Sequence, residues 1–359
     1  MSHFPPSGAS ILNLTPEAAR QSIMEWVTAK QLPSYRTAQI MRRLWQLPAA
    51  DWNAATELPL SLRGELTQAW PLERLELSLV QRSSDGTQKY LWRLTDRELI
   101  ESVLIPSGSR RTLCISSQAG CALKCQFCAT GTMGFRRQLS PFEIAGQIRE
   151  VLLLEGLEPG ITNVVFMGMG EPLLNWSSVD TALTILNSPL GLGIGARHIT
   201  VSTVGIIPGM LQLAARPEQF RLAISLHSPD SVKRLALMPI EKRYPLAEVI
   251  AAAKRFRKRV TLEYVVISGK NDSDEDIRLL AAIARDLGAM INLLPLHPGG
   301  AAGLLPSSKR RIHTFAARLT ELGVEAVVRR SRGLDIDAAC GQLRAKVGSD
   351  SIPTAPVTE

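Results

Sequence analysis

The spacing of apolar residues divides the chain into two stretches with different rhythms. From about residue 10 to 70 the period is helical: Ile23, Trp26 and Val27 share one face, and Ile40, Leu44 and Trp45 repeat the pattern. Leu14-Thr15-Pro16-Glu17 reads as a helix start, with Thr15 as N-cap and Pro16 at the first helical position. Leu60-Ser61-Leu62 opens a third helix, and shorter extended pieces follow. Ser84-Asp85-Gly86-Thr87 is a turn signal ahead of the alternating run Lys89-Tyr90-Leu91-Trp92-Arg93.

From about residue 111 strand and helix patterns alternate. The spacing predicts strands over Thr112–Ser116, Asn163–Met167, Ile199–Thr203, Leu222–Leu226, Thr261–Ile267, Ile291–Leu296 and Val324–Arg329. Helices are predicted between them, including Pro141–Leu154, Leu246–Arg257, Asp274–Leu287 and Ser308–Leu322. Repeated β/α units imply a parallel sheet with crossover helices, and about seven strands suit a partial or open barrel. Chemistry in such folds sits at the C-terminal ends of the strands. The expected organisation is α/β: a mostly helical accessory region over 1–95, a barrel over 96–345, and a disordered tail over 346–359, made up largely of Gly, Ser, Asp, Pro and Thr.

With 359 residues the chain can hold one large domain and a smaller one. A formal net charge of +8 adds a hint about partners. Arg42-Arg43, Arg110-Arg111, Arg136-Arg137, Lys309-Arg310-Arg311 and the run 254–259 contribute to it. A basic surface suits nucleic acid, because released counterions drive phosphate binding, although any single pair also fits a solvated helix face. The start MSHFPPSGAS has neither the basic opening nor the apolar run of a signal peptide. No stretch reaches the roughly 18 to 20 apolar residues of a membrane helix. A cytoplasmic protein without a membrane partner is expected.

The five cysteines change the picture most. An odd number without an export signal argues against a disulfide framework and for metal binding or catalysis. Cys121, Cys125 and Cys128 form a CxxxCxxC motif. Three thiolates so close can hold three irons of a [4Fe–4S] cube and leave the fourth iron open. Zinc prefers paired CxxC units or added histidines, and no such second half is present. Met167-Gly-Met-Gly-Glu171-Pro follows a predicted strand, so the backbone at Gly168 and Gly170 can approach a ligand closely, with Glu171 placed to accept from an ammonium group. The plain alternative is a βα loop with a capping glutamate. Gly191-Leu-Gly-Ile-Gly195 lacks dinucleotide-loop spacing and reads as a connection.

The CxxxCxxC motif is the signature of the radical-SAM superfamily, in which the open iron chelates S-adenosylmethionine (SAM). Further segments narrow the resemblance: Gln-Arg-Ser-Ser-Asp-Gly-Thr at 81–87, Leu-Cys-Ile-Ser-Ser-Gln-Ala-Gly-Cys-Ala-Leu-Lys-Cys-Gln-Phe-Cys-Ala-Thr-Gly at 113–131, Phe-Met-Gly-Met-Gly-Glu-Pro-Leu-Leu-Asn at 166–175, Ser-Leu-His at 225–227 and Asp-Ile-Asp-Ala-Ala-Cys-Gly-Gln-Leu at 335–343. Nearly end to end the chain resembles the RlmN/Cfr family of radical-SAM RNA adenine methyltransferases, and the RlmN branch in particular.

That resemblance implies a partial (β/α)6-type barrel with an RNA-binding accessory domain, and a reaction that uses two SAM per turnover. One methylates Cys340. The second, on the cluster, yields a deoxyadenosyl radical that takes a hydrogen from the S-methyl group. The methylene radical adds to adenine, and Cys114 then attacks Cys340, forming a disulfide and freeing the base. Glu101 matches the position that handles the ring proton; a surface carboxylate is the plain alternative. The route answers a chemical need, since C2 and C8 of adenine are too weakly nucleophilic to attack a sulfonium. SAM contacts carry over to Gly170, Glu171, Ser202, Ser225, Leu226 and His227. At the late strand end His297-Pro298 stands where the family usually has Asn-Pro, and Leu334 stands in place of an Asp.

The implied activity is C2 methylation of an adenosine in the peptidyl transferase centre of 23S rRNA, and of one beside the anticodon in tRNA, with an external donor such as flavodoxin and a monomeric enzyme. The alternatives are a Cfr-type enzyme acting at C8, and a cluster-bearing redox or RNA-binding protein without methylation.

Overall fold

The computed structural model describes residues 10–157, 160–256, 260–300 and 303–345. The expected tail over 346–359, the first nine residues and Arg257 to Arg259 of the basic run lie outside these.

Three helices lead: α1 (Pro16–Ala29), α2 (Tyr35–Leu44) and α3 (Leu60–Ala69). The Thr15 hydroxyl accepts the Ala18 amide at 3.3 Å and Pro16 sits at the first position, as the sequence pattern predicts. Ile23, Ile40, Leu44 and Trp45 from their inner faces are buried. Then come strands β1 (Glu76–Arg82), β2 (Gln88–Arg93), β3 (Leu99–Ser107) and β4 (Arg110–Cys114), paired antiparallel in sequence. The short pair β5 (Gln118–Gly120) and β6 (Phe135–Gln138) brackets α4 (Ala129–Met133).

Alternation then sets in: α5 (Pro141–Glu155), β7 (Asn163–Phe166), α6 (Trp176–Asn187), β8 (Ile199–Thr203), α7 (Ile207–Ala215), β9 (Arg221–Ser225), α8 (Ser231–Leu237), α9 (Leu246–Ala253), β10 (Val260–Val266), α10 (Asp274–Leu287), β11 (Met290–Pro295), α11 (Lys309–Glu321) and β12 (Ala326–Val328). Capping boxes at Ser140–Glu143 and Ser273–Asp276 fix the starts of α5 and α10, and left-handed Gly156 and Gly288 end them.

The described strands form a sheet in the order β1-β2-β3-β4-β7-β8-β9-β10-β11-β12, parallel from β4 onward. Among the described residues β12 does not return to the other edge, so the sheet stays open, as a partial barrel requires. The predicted parallel strands are present within a residue or two, except that Val324–Arg329 shortens to Ala326–Val328. The predicted helix from Leu246 ends at Ala253. The sequence pattern did not single out β1 or β3. Through β3, the β1–β2 hairpin continues the barrel's own sheet.

Candidate active site

The C-terminal ends of the parallel strands surround one cavity of about 920 Å³, part of it open to solvent. Cys121, Cys125 and Cys128 line one side, Met167, Gly170 and Glu171 the floor after β7, and Ser202, Ser225, His227 and Glu263 the ends of β8 to β10. His297 and Cys340 complete it. The sequence-predicted residues therefore converge, with three exceptions that stand behind the wall: Leu226, whose side chain is in the core, Cys114 and Glu101.

The loop from β4 to the cysteine motif is held by buried polar side chains. Gln147 on α5 accepts the Ser116 amide and donates to the Ser116 carbonyl, both at 2.9 Å. The Ser116 hydroxyl donates to the Glu101 carbonyl at 2.6 Å and accepts the Met169 amide at 2.9 Å. Asn175 donates to the Ser117 and Leu139 carbonyls. Fixing this loop fixes the cysteines that follow it.

The two motif glycines line the cavity and also lie close against the protein's own 115–118 segment. A Cβ on Gly168 would meet the Ile115 carbonyl oxygen at 2.6 Å, and one on Gly170 (φ +98°) would meet the Gln118 side chain at 2.5 Å. They let the end of β7 lie against the 115–118 segment.

Glu171 is buried. Its Oε1 accepts the Leu173 amide at 3.0 Å and its Oε2 the Val204 amide at 2.9 Å, while its own N–H donates to Gln118 at 2.7 Å. The plain alternative, a capping glutamate, thus describes what this carboxylate does here, and its position on the cavity floor keeps it available to a cation as well. Burial pushes its pKa up to about 7, against the pull of the Val204 and Leu173 amides.

His227 has φ 54° and accepts the Val265 amide on Nδ1 at 3.0 Å, so the neutral ring carries its proton on Nε2. Burial, then the nearby Arg234 cation, lower its pKa to about 3. Phe127, from the cysteine loop, packs edge-on against it at 4.4 Å. Buried Arg234 also donates to the carbonyls of Leu226 (3.3 Å) and Val204 (2.6 Å), stitching the ends of β8 and β9 together, and pairs with Glu241.

Burial pushes the Cys121 thiol up to about 12 and the Cys125 thiol well above its ordinary value, and the charge of Cys128 adds to both. Cys128 caps the start of α4. Among the described residues no three His, Cys, Asp or Glu side chains close on a point as ligands of a single metal ion would. All three thiols line the cavity, as the corners of one cluster must share a space.

Cys340 opens to solvent through the cavity, yet the concave site surrounds it with enough protein to raise its pKa; the Glu263 charge adds to this and Arg329 opposes it. Cys114 lies behind, buried, with its pKa raised by burial first and then by the charge of Cys340. A buried protonated thiol is a poor nucleophile.

Glu101 is buried on β3, which removes the surface-carboxylate alternative. Its Oε2 accepts the amides of Arg344 (2.9 Å) and Ala345 (3.2 Å), and Oε1 lies 3.4 Å from Lys89 Nζ. His297 bonds through Nε2 to the Ser331 hydroxyl at 2.7 Å, and partial burial lowers its pKa. Sequence reasoning missed Glu263, a cavity-lining carboxylate that accepts from Asn292 at 2.8 Å. Its signal was a lone acidic residue within an otherwise apolar strand.

Residues 115–281 match the Radical SAM superfamily. A relative from Gemmatimonas aurantiaca, named a probable dual-specificity RNA methyltransferase RlmN, is 55% identical over 96% of this chain and 96% of its own. The dual-specificity RNA methyltransferase RlmN of Anaeromyxobacter dehalogenans is 43% identical over 88% of this chain and 87% of its own. The chain belongs to the RlmN family. A crystal structure of a radical SAM methyltransferase from Sphaerobacter thermophilus superposes with a TM-score of 0.88 at 41% identity, covering 94% of this chain and 99% of the other.

RlmN-family enzymes are radical-SAM methyltransferases that work with a [4Fe–4S] cluster and SAM, and the donor set here fits both. Three thiols line the space for a cluster, and a buried carboxylate and a neutral imidazole donor the adjoining floor. Among the described residues no helix is long and apolar enough to cross a membrane.

Proposed function

We propose that this enzyme methylates C2 of an adenosine in the peptidyl transferase centre of 23S rRNA, and of an adenosine beside the anticodon in tRNA. Its relatives carry the name of dual-specificity RNA methyltransferases, and the chain shares nearly their whole length. One observation carries the reading: Cys340 opens into the cavity that the three motif thiols line, and the buried Cys114 feels its charge.

In this reading Cys121, Cys125 and Cys128 hold the cluster, which with SAM supplies one-electron chemistry. Gly170, Glu171, Ser202, Ser225, Leu226, His227 and His297 shape the SAM site. Glu171 takes the ammonium group, and the neutral His227 offers an Nε2–H donor without adding charge. Cys340 carries the transferred carbon and Cys114 releases it by disulfide formation. Glu101 handles the ring proton; to do so its carboxylate exchanges the Arg344 and Ala345 amides for the substrate. The enzyme acts as a monomer in the cytoplasm, with residues 1–95 as accessory RNA-binding domain and a donor such as flavodoxin supplying electrons.

The test is anaerobic cluster reconstitution, then incubation with SAM, reductant and bacterial large-subunit rRNA or tRNA, and mass spectrometry of the digested nucleosides. 2-Methyladenosine is expected. 8-Methyladenosine would keep the cysteine chemistry and move the enzyme to the Cfr reaction. Neither product, with SAM cleavage intact, would overturn the RNA assignment.

A further inference from the structure

The segment that bears Cys340 has almost no regular structure of its own. Between β12 and residue 345 the described chain makes one short 3-10 turn, Leu334–Ile336, and enters the left-handed region at Gly333, Asp337 and Gly341. Something outside it must hold its course.

Two sets of contacts do so, one on each side of the cysteine. On the C-terminal side, the Ala129 amide donates to the Gly341 carbonyl at 2.7 Å and the Thr130 hydroxyl to the Leu343 carbonyl at 2.8 Å. Glu101 accepts the next two amides. These contacts belong to the cysteine loop and to the site already described. The N-terminal side is different: beyond the Arg329 bond to the Leu293 carbonyl and the Ser331 bond to His297, the ties from Gly333 to Asp337 to the rest of the fold run to the β1–β2 hairpin.

Asp85 accepts the Gly333 amide at 3.1 Å. Ser83 donates its hydroxyl to Asp335 Oδ1 at 2.6 Å, and the Ser84 amide donates to Asp335 Oδ2 at 3.1 Å. Lys89 Nζ donates to the Asp337 carbonyl at 3.3 Å while facing Glu101. A Cβ at Gly333 would strike Thr87 Cγ2 at 2.9 Å, so the hairpin and the segment also touch at van der Waals distance. None of Ser83, Ser84, Asp85, Lys89 or Asp335 lines the cavity.

We propose that the Ser83-Ser84-Asp85 turn, acting through Asp335 and Gly333, is the anchor that sets the reach of Cys340 between the cavity and Cys114, which makes Ser83, Asp85 and Asp335 positioning residues. The proposal rests on the reading of Cys340 as methyl carrier. A carrier thiol must meet a methyl donor, a base and a resolving thiol in turn. A segment without helix or strand serves three stations only if its root is fixed. Asp335 is suited to this because its two oxygens accept from two donors on one rigid turn, a geometry that neither Asn nor Ala reproduces in full.

The anchor can be read without turnover. In the full-length reduced protein, the rate at which iodoacetamide alkylates the Cys340 fraction that carries no methyl group, followed by peptide mass spectrometry, reports how often the segment leaves its place. D335A and S83A should each raise that rate severalfold, leave Cys114 alkylation and Tm near wild type, and lower kcat of the reconstituted enzyme without changing KM for RNA. D335N should recover part of both. The double variant should be no worse than the worse single, because both remove one interaction. A wild-type alkylation rate in D335A and S83A overturns the proposal, as does a change confined to KM, which would mean contact with RNA. S83A keeps the question decidable if D335A fails to fold. Absence of a methyl group on wild-type Cys340 by intact mass would instead sink the carrier reading, with the alkylation rates still reporting on the anchor.

Discussion

Glu171 accepts the backbone amide of Val204 at 2.9 Å, and this bond joins the end of β7 to the end of β8 on the floor of the cavity. With its other oxygen on Leu173, the same carboxylate is a structural tie that also lines the cavity, where the proposed function has it take the ammonium group. Glu171→Ala would leave two buried amides without acceptors, at a cost of about 1–3 kcal/mol each. We expect a clear fall in Tm for the cluster-free protein, together with loss of SAM binding in the reconstituted one. Glu171→Gln keeps one acceptor oxygen and should fall between. A Glu171→Ala protein as stable as wild type would show that water replaces the carboxylate at no cost.

Much of this site was legible in the sequence because it is built from local signals. The cysteine spacing, the 166–175 segment and the 335–343 segment each name their residues, and alternating strand and helix patterns place them at strand ends. What the pattern hid is non-local. Nothing near Gln147 says that it pins Ser116 from a neighbouring helix, or that Arg234 bridges two strand ends. β1 and β3 escaped because partners distant in sequence and the sheet decide their state. Glycines in the 167–171 run were visible as a requirement, but whether ligand or backbone imposes it depends on what packs opposite.

His227 is buried neutral, so acid must cost the fold. Its pKa is lowered from the ordinary value to about 3 in the folded protein. Between pH 6.5 and 3 the unfolded chain therefore binds more protons at this site than the folded one, and stability rises with pH across that window. The slope from one such group approaches about 1.4 kcal/mol per pH unit. Urea unfolding of cluster-free protein at several pH values should show wild type losing stability on acidification faster than His227→Gln, with the two converging above pH 7 in slope. Parallel curves would mean that the imidazole is protonated in the fold.

Cys114 and Cys340 should separate cleanly by what their loss leaves behind. On the proposed mechanism Cys340 carries the carbon, so Cys340→Ala should give no methylated nucleoside and no adduct. On the same mechanism Cys114 releases the attached carbon, so Cys114→Ala should accumulate a protein–RNA adduct visible as a shifted band on a denaturing gel. Nuclease treatment of that band should leave a nucleotide mass on the Cys340 peptide. Free turnover by Cys114→Ala at wild-type rate would assign release to another group.

His297 stands on the cavity wall where Asn is usual in the family, and its Nε2 is engaged with Ser331 at 2.7 Å. That bond turns one ring nitrogen toward the segment after β12, leaving one further polar atom for a ligand, as an Asn amide also would after meeting Ser331. Partial burial lowers the imidazole pKa, so the ring contributes no cation at neutral pH. His297→Asn is therefore expected to leave SAM affinity of the reconstituted enzyme unchanged within about twofold, well under the tenfold that 1.4 kcal/mol represents. Isothermal titration at pH 7.5 checks it. A tenfold or larger change in Kd would mean that ring size sets the fit of SAM in this corner, and the same variant should then be assayed for a shift in the adenosine position it methylates.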